Sequence, residues 1–164
     1  MKINLGCRNN LLKDYINVDI QEMMIKTDCP FLCANALDID RHFKANSVDE
    51  VVSEHFFEHL THAEITNLLY KIFVILKPGG TIKITVPDFK GILEVYEKKH
   101  QNGDFTDVDI LHIKVFDVPE EGLHKTVWYD YIGEFYLIRE GLFTMYGIEK
   151  PSPFEICFTA IVNK

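Results

Sequence analysis

Two residues near the start of the chain have the types and spacing of a nucleotide site. Gly6 ends a short alternating apolar run, and Asp19 lies near the end of the next such run, thirteen residues later. A glycine lets the backbone approach a ligand because no Cβ stands in the way. An acid after the following strand can accept hydrogen bonds from two ribose hydroxyls. The pair therefore predicts a nucleotide-binding α/β unit.

A second group of residues, His55-x-x-Glu58-His59, has the spacing of the zinc ligands of inverted zinc peptidases. That pattern requires both histidines on one helix and a distant third ligand. Here it directly follows a predicted strand and precedes a helix-capping motif. We therefore predict no metal site, and we expect Glu58 and His59 to bond backbone at the start of the next helix.

Composition restricts the class of protein. The chain has 164 residues, which suits one domain over residues 1–164, and a formal net charge of -8, which argues against a nucleic-acid partner. The four cysteines lack the paired spacing of a zinc site, so we expect reduced thiols and a cytoplasmic protein. No apolar run approaches the ~20 residues of a membrane span, and no signal peptide is evident.

Periodicity predicts alternating strands and helices. We expect strands at 2–5, 16–20, 31–35, 48–53 and 81–86, and helices at 63–76, 91–99 and 130–144. Segments 21–30 and 101–107 are predicted to be irregular or loop. Gly147 is predicted to lie in a turn, and strands at 145–150 and 154–162 close the chain as a hairpin. This order predicts an α/β sandwich with a mostly parallel sheet and an antiparallel C-terminal strand.

Thr61-x-x-Glu64 is a capping box at the start of the helix predicted over 63–76. The buried face of that helix is expected to carry apolar residues at helical spacing, namely Ile65, Leu68, Leu69, Ile72, Phe73 and Leu76. Pro78-Gly79-Gly80 is expected to end it.

Polar residues and glycines recur at the predicted strand ends. Because ligands bind parallel sheets at the carboxyl ends of the strands, these residues are expected to share one cleft. They are Gly6, Asp19, Asn35, the stretch 53–55 and Asp88.

The motifs together resemble class I S-adenosylmethionine-dependent methyltransferases, and in particular a short subgroup associated with polysaccharide or lipopolysaccharide synthesis. The resemblance covers roughly the first half of the chain. It rests on Asn4-Leu5-Gly6-Cys7, Asn17-Val18-Asp19, Ser47-Val48-Asp49-Glu50-Val51, His55-x-x-Glu58-His59-Leu60 and Leu76-Lys77-Pro78-Gly79-Gly80 with the strand after it. It implies a Rossmann-like three-layer sandwich, S-adenosylmethionine as cofactor, and a small-molecule or glycan-precursor acceptor.

The resemblance also implies roles for individual residues. Gly6 and Cys7 would meet the methionine part of the cofactor, and Arg8 could pair with its carboxylate. Asp19 would bind the ribose, and Asn35 and Ala36 the adenine. Ser53 and Glu54 would lie, with His55, where the methyl group meets its acceptor.

Three residues are candidate bases for the proton that the acceptor loses: His55, Asp88 and His124. A histidine titrates near neutral pH and needs no large pKa shift for this task. Each candidate also has a structural interpretation. His55 could tie down its loop, Asp88 could cap the following helix, and His124 could be a surface or packing residue.

Other functions remain open at this level. Many relatives have a second glycine where this chain has Arg8, so the alternative is a non-catalytic binding or interaction module with a degraded cofactor loop. A nicotinamide oxidoreductase usually has three glycines in this turn, whereas this chain has one. The aromatics around Trp128 are expected to be core and rim packing rather than an acceptor pocket. Short crossovers between the first strands suggest a homodimer.

Overall fold

The computed structural model describes residues 1–21, 28–103 and 124–164. The strands are β1 (Lys2–Leu5), β2 (Ile16–Asp19), β3 (Phe31–Cys33), β4 (Val48–Glu54), β5 (Leu76–Pro87), β6 (Phe143–Ser152) and β7 (Glu155–Val162). The helices are α1 (His62–Ile75), α2 (Phe89–Gln101) and α3 (Asp130–Ile138), with short 3₁₀ helices at Ala36–Arg41 and Phe57–His59. Most of the predicted irregular segments, 21–30 and 101–107, fall outside the described residues.

The seven strands form one sheet in the order β3-β2-β1-β4-β5-β7-β6. Strands β1 to β5 are parallel, whereas β7 runs antiparallel to both β5 and β6. The predicted Rossmann-like α/β sandwich, with its mostly parallel sheet and antiparallel C-terminal strands, is confirmed. This order sets β1 beside β4, so the residues after these two strands lie at the same edge of the sheet.

Helix α1 follows the predicted local chemistry. Thr61 is its N-cap: the Thr61 side chain accepts a hydrogen bond from the Glu64 backbone N–H, and the Glu64 side chain accepts one from the Thr61 backbone. Both halves of the capping box are therefore present. The apolar face packs into the core through Ile65, Leu68, Leu69, Ile72 and Ile75. Phe73 is partly buried against the same core.

Two helices end earlier than predicted because pairing in the sheet overrides the local pattern. Helix α1 ends at Ile75 rather than Leu76, and Leu76 opens β5 by pairing with Val48. The glycine pair predicted to stop the helix lies inside that strand. Helix α3 ends at Ile138, and the chain re-enters the sheet at Phe143, which pairs with Val162. Gly147 lies within β6 at an irregularity in its register rather than in a turn.

The aromatic cluster divides as predicted between core and rim. Trp128 is buried, and its ring packs against Phe57, Tyr136 and Phe158. Tyr131 is exposed. The cluster therefore closes the core beside β5 and β7, as large aromatic side chains commonly do.

The connection between β1 and β2, residues 6–15, contains no helix. The homodimer suggested by this short crossover stays a prediction. Within the described ranges, no helix has the length and apolar character needed to cross a membrane.

Candidate functional site

A cleft of about 500 Å³ lies where the carboxyl ends of the parallel strands meet. Its walls come from the residues that follow β1, β2, β3 and β4. They are Gly6, Arg8, Asp19, Ile20, Gln21, Asn35, Ala36, Leu37, His55, Phe56, His59 and Leu60. The volume is in the range of small-molecule and cofactor sites.

The turn after β1 exposes backbone without a side chain to the cleft, at Gly6. Gly6 has φ +66°, a conformation that L-residues rarely adopt. The Gly6 and Cys7 N–H groups both donate to the Val18 carbonyl, at 2.9 and 3.2 Å, which fixes the turn against β2. The Phe56 ring packs directly on Gly6, because a Cβ built there would lie 2.4 Å from Phe56 Cγ. Glycine is thus required by both conformation and space.

The Asp19 carboxylate organises the same turn from the end of β2. Its Oδ2 accepts the Arg8 backbone N–H at 2.8 Å, and its Oδ1 accepts the Gln21 N–H at 3.0 Å. A carboxylate has about four lone-pair sites. Two remain for a ligand in the cleft, which is the number that two ribose hydroxyls would use.

Arg8 occupies the left-handed region with φ +44°. The cleft nevertheless stays open with Arg8 in its wall. On the opposite side, Asn35 Oδ1 accepts the Leu37 N–H at 2.9 Å and thereby caps the 3₁₀ helix at Ala36–Arg41. This leaves its amide NH₂ as the hydrogen-bonding group beside Ala36.

Three predicted cofactor residues are not among the residues that line the cleft. Ser53 is buried, and its hydroxyl donates to the Leu5 carbonyl at 2.9 Å, which joins β4 to the end of β1. Glu54 accepts a hydrogen bond from Asn10 Nδ2 at 2.6 Å. Cys7 is buried beneath the turn. Their contacts support the loops that line the cleft.

The thiol of Cys7 should be much less reactive than that of Cys33. Burial, together with the charge of Asp19, raises the pKa of Cys7 to about 12, whereas Cys33 is exposed. Because the thiolate is the nucleophile and must be reached by the reagent, we expect iodoacetamide at pH 8 to modify the exposed Cys33 much faster than the buried Cys7. Peptide mapping by mass spectrometry measures both rates, and Cys33→Ser identifies the fast site. Equal rates in the folded protein would contradict this burial.

His55 stands at the edge of the cleft between two carboxylates. Its Nδ1 lies 3.3 Å from Glu58 Oε1, and its Nε2 lies 2.9 Å from Glu155 Oε1. Glu58, aided by Glu155, raises the pKa of His55 to about 9, although burial opposes the shift. An imidazolium has no lone pair to accept a proton. His55 in this form is therefore a positive group beside the cleft.

The other two candidate bases lie apart from the cleft wall. Asp88 is the residue before α2, but its side chain makes no capping hydrogen bond. Instead it is buried and pairs with Lys150 Nζ at 2.6 Å. His124 lies next to the cleft residue His59, with ring centroids 4.9 Å apart.

Six residues that line the cleft were not predicted to take part in the site, namely Ile20, Gln21, Leu37, Phe56, His59 and Leu60. Phe56 and His59 lie within the His55-x-x-Glu58-His59 stretch. Their position directly after β4 is the feature of the sequence that could have placed them in the cleft. Gln21 follows Asp19 closely enough to have been included by the same argument.

Comparison with known proteins gives one family match and several solved structures of similar fold. Residues 4–84 match the family described as "Methyltransferase domain". A methyltransferase from Methanosarcina mazei, described as S-adenosylmethionine-dependent, is 16% identical with a TM-score of 0.66, and the match covers 98% of this chain and 91% of that one. A protein from Pyrococcus horikoshii OT3 is 19% identical with a TM-score of 0.65, over 99% and 83%.

A third solved structure was determined with ligands bound. It is the 1,6-didemethyltoxoflavin-N1-methyltransferase of Burkholderia thailandensis, with 1,6-didemethyltoxoflavin and S-adenosylhomocysteine, at 11% identity and a TM-score of 0.62 over 99% of this chain and 71% of that one. At identities this low, the structural similarity shows that these proteins share their fold with this chain. No curated protein sequence matches the chain.

Proposed function

Because this chain belongs to the class I S-adenosylmethionine-dependent methyltransferases, we propose that it transfers a methyl group to a small-molecule or glycan-precursor acceptor. The cofactor supplies a methyl group on a sulfonium. Its transfer to the acceptor would leave the electron pair of the broken bond on sulfur, and the acceptor would lose a proton to solvent. One observation carries the proposal: the Gly6 turn and the Asp19 carboxylate converge on one open cleft.

The residues of the cleft fit the cofactor. Gly6 offers backbone without a side chain, and Asp19 retains two lone-pair sites for ribose hydroxyls. We assign the adenine end to Asn35 and Ala36, which follow β3. We assign the methionine carboxylate to the Arg8 side, where a guanidinium can pair with it.

The acceptor would enter beside His55, at the end of the cleft formed after β4. In-line displacement depends mainly on the alignment of the methyl donor with the acceptor atom. The main contribution of the protein would therefore be to hold these two groups in position. The protonated His55 would orient a negatively polarised acceptor group. The proton that the acceptor releases would pass to solvent water.

The acceptor class comes from the resemblance to the subgroup associated with polysaccharide synthesis. The alternative, a non-catalytic binding module, depends on Arg8 obstructing the cofactor. The cleft of about 500 Å³ with Arg8 in its wall favours the catalytic proposal.

Asp19→Ala is expected to weaken binding of S-adenosylmethionine at least about a hundredfold, since hydrogen bonds to a charged group contribute about 1.5–3 kcal/mol each. Isothermal titration calorimetry with the cofactor and with S-adenosylhomocysteine measures this effect. Asp14→Ala is the matched control, because Asp14 is an exposed acid outside the cleft wall.

Micromolar binding by the wild type that is lost in Asp19→Ala and kept in Asp14→Ala would support the assignment. An acceptor screen by mass spectrometry, which detects the added methyl group, would then follow. Unchanged affinity in Asp19→Ala would overturn the placement of the cofactor. Absence of binding by the wild type would favour the non-catalytic module.

A further inference from the structure

A cluster of three metal-ligating side chains lies directly beside the cleft. Glu58 and His59 come from the 3₁₀ helix at Phe57–His59, and His124 comes from the segment before α3. One ligand atom from each residue lies within 4.8 Å of the other two. The sequence pattern drew attention to Glu58 and His59 but gave no third partner, since His124 is 65 residues further along the chain.

The Glu58 carboxylate is the unusual member of this cluster. The residue is only 1% exposed, and neither carboxylate oxygen accepts a hydrogen bond from any described residue. Among the described residues, only His55 forms an ion pair with Glu58, with Nδ1 3.3 Å from Oε1, so Oε2 has neither a hydrogen-bond donor nor a cation beside it. A buried carboxylate with so few donors is costly unless a cation or further donors compensate it.

Backbone hydrogen bonds hold the two segments together. The Glu58 carbonyl accepts the Lys125 N–H at 2.8 Å and the Thr126 N–H at 3.1 Å. These bonds fix the residue after His124 against the residue before His59. The fold thus holds together the two segments that carry the three candidate ligands.

We propose that Glu58, His59 and His124 bind one divalent transition-metal cation, with Zn²⁺ as the reference ion. Two imidazoles and a carboxylate suit Zn²⁺ and related ions better than Mg²⁺, which prefers oxygen ligands. Ligand distances of about 2.0–2.2 Å require the three side chains to close inward. Three protein ligands leave a fourth position open.

His59 connects this site to the cleft, because it lines the cleft and belongs to the cluster. An open fourth position there would accept an oxygen of the methyl acceptor, a role that rests on the proposed function. The site differs from that of an inverted zinc peptidase. His55 follows β4 with φ +50° and pairs with Glu58 and Glu155, whereas the peptidase pattern places it on a helix as a ligand.

The test uses the full chain after removal of metals with EDTA. Zn²⁺ affinity is measured by competition with a chromophoric chelator, stoichiometry by elemental mass spectrometry, and geometry by the visible absorption of bound Co²⁺. The variants are Glu58→Gln and His124→Ala, and His42→Ala is the control because His42 is exposed and lies outside the cluster. Circular dichroism in EDTA shows whether each variant is folded.

We expect one equivalent of Zn²⁺, a Kd raised at least tenfold by Glu58→Gln and by His124→Ala, and no change in His42→Ala or with excess Mg²⁺. Equal Zn²⁺ affinity in all four proteins would overturn the proposal. So would loss of Zn²⁺ binding in Cys33→Ser, because the metal would then be on the thiols. Failure of the wild type to bind micromolar Zn²⁺ would also overturn it.

The design separates this inference from the proposed function. Asp19→Ala should lose S-adenosylmethionine and keep Zn²⁺, whereas His124→Ala should lose Zn²⁺ and keep S-adenosylmethionine, since His124 does not line the cleft. A wild type that binds Zn²⁺ and no cofactor overturns the methyltransferase proposal alone. A wild type that binds the cofactor and no Zn²⁺ overturns the metal site alone.

Discussion

Gly6→Ala is expected to destabilise the protein by about 2–5 kcal/mol and to abolish cofactor binding. Two effects add at this position. The left-handed backbone, with φ +66°, costs an L-residue roughly 1–2 kcal/mol. The new methyl group would also lie 2.4 Å from Phe56 Cγ, and such overpacking typically costs ~1–3 kcal/mol. A loss of this size is a large fraction of the stability of an ordinary domain.

Gly141→Ala is the matched control for this substitution. Gly141 has nearly the same φ, +68°, but nothing lies within 4 Å of the position of its Cβ. It should therefore show the backbone cost alone, about 1–2 kcal/mol, with cofactor binding unchanged. Urea denaturation gives the free energies of unfolding, and calorimetry gives the affinity.

The double variant Gly6→Ala/Phe56→Ala tests the steric part separately. If the ring is the obstacle, the double variant should lose less stability than the sum of the two single losses. Equal losses for Gly6→Ala and Gly141→Ala would show that Phe56 yields without cost. The close packing of Phe56 on the turn would then be refuted as the reason for glycine at this position.

Lys150→Ala is expected to lower the free energy of unfolding by about 2–4 kcal/mol. Lys150 Nζ pairs with Asp88 Oδ2 at 2.6 Å, and Asp88 is only 1% exposed. Its other oxygen, Oδ1, has no hydrogen-bond partner among the described residues. Removing the lysine leaves a buried carboxylate without its cation, which is the costly way to break such a pair.

Lys83→Ala provides the comparison, because the Lys83 side chain is as exposed as that of Lys150, at 47%. It pairs at 3.7 Å with Glu149, whose side chain is 69% exposed, so its loss should cost about 0–1 kcal/mol. In an Asp88→Asn background the Lys150→Ala change should cost little. A large cost that persists there would mean that Lys150 stabilises β6 by packing rather than through Asp88.

Local sequence patterns were enough to predict the elements and one side of the cleft. Gly6, Asp19 and Asn35 each follow a short apolar run, and parallel strands bring their carboxyl ends together whatever their order. The capping box at Thr61 is equally local, because both of its partners lie within one turn of helix. Such features are encoded by neighbours in the chain.

The remaining features depend on partners distant in sequence. Phe56 packs on Gly6 because β1 and β4 are adjacent in the sheet. Asp88 contacts Lys150 because β5, β7 and β6 are consecutive strands of the sheet. The start of β5 at Leu76 likewise follows from pairing with Val48. Strand order and register decide these contacts, and neither is visible in periodicity.

The left-handed backbone at two cleft residues has a consequence for laboratory evolution of heat-resistant variants. Arg8 and His55 have φ values of +44° and +50°, a conformation that glycine adopts without penalty. At His55 this gain is opposed by the loss of the ion pair with the buried Glu58, so selection by heat alone should enrich glycine at Arg8 and erode ligand recognition as it does so. Asn46 also has a left-handed backbone, with φ +54°, and lies outside the cleft wall. Its replacement by glycine would relieve the same backbone strain without changing the cleft. Heating libraries with S-adenosylmethionine present should direct the gains to Asn46 and preserve the two cleft residues.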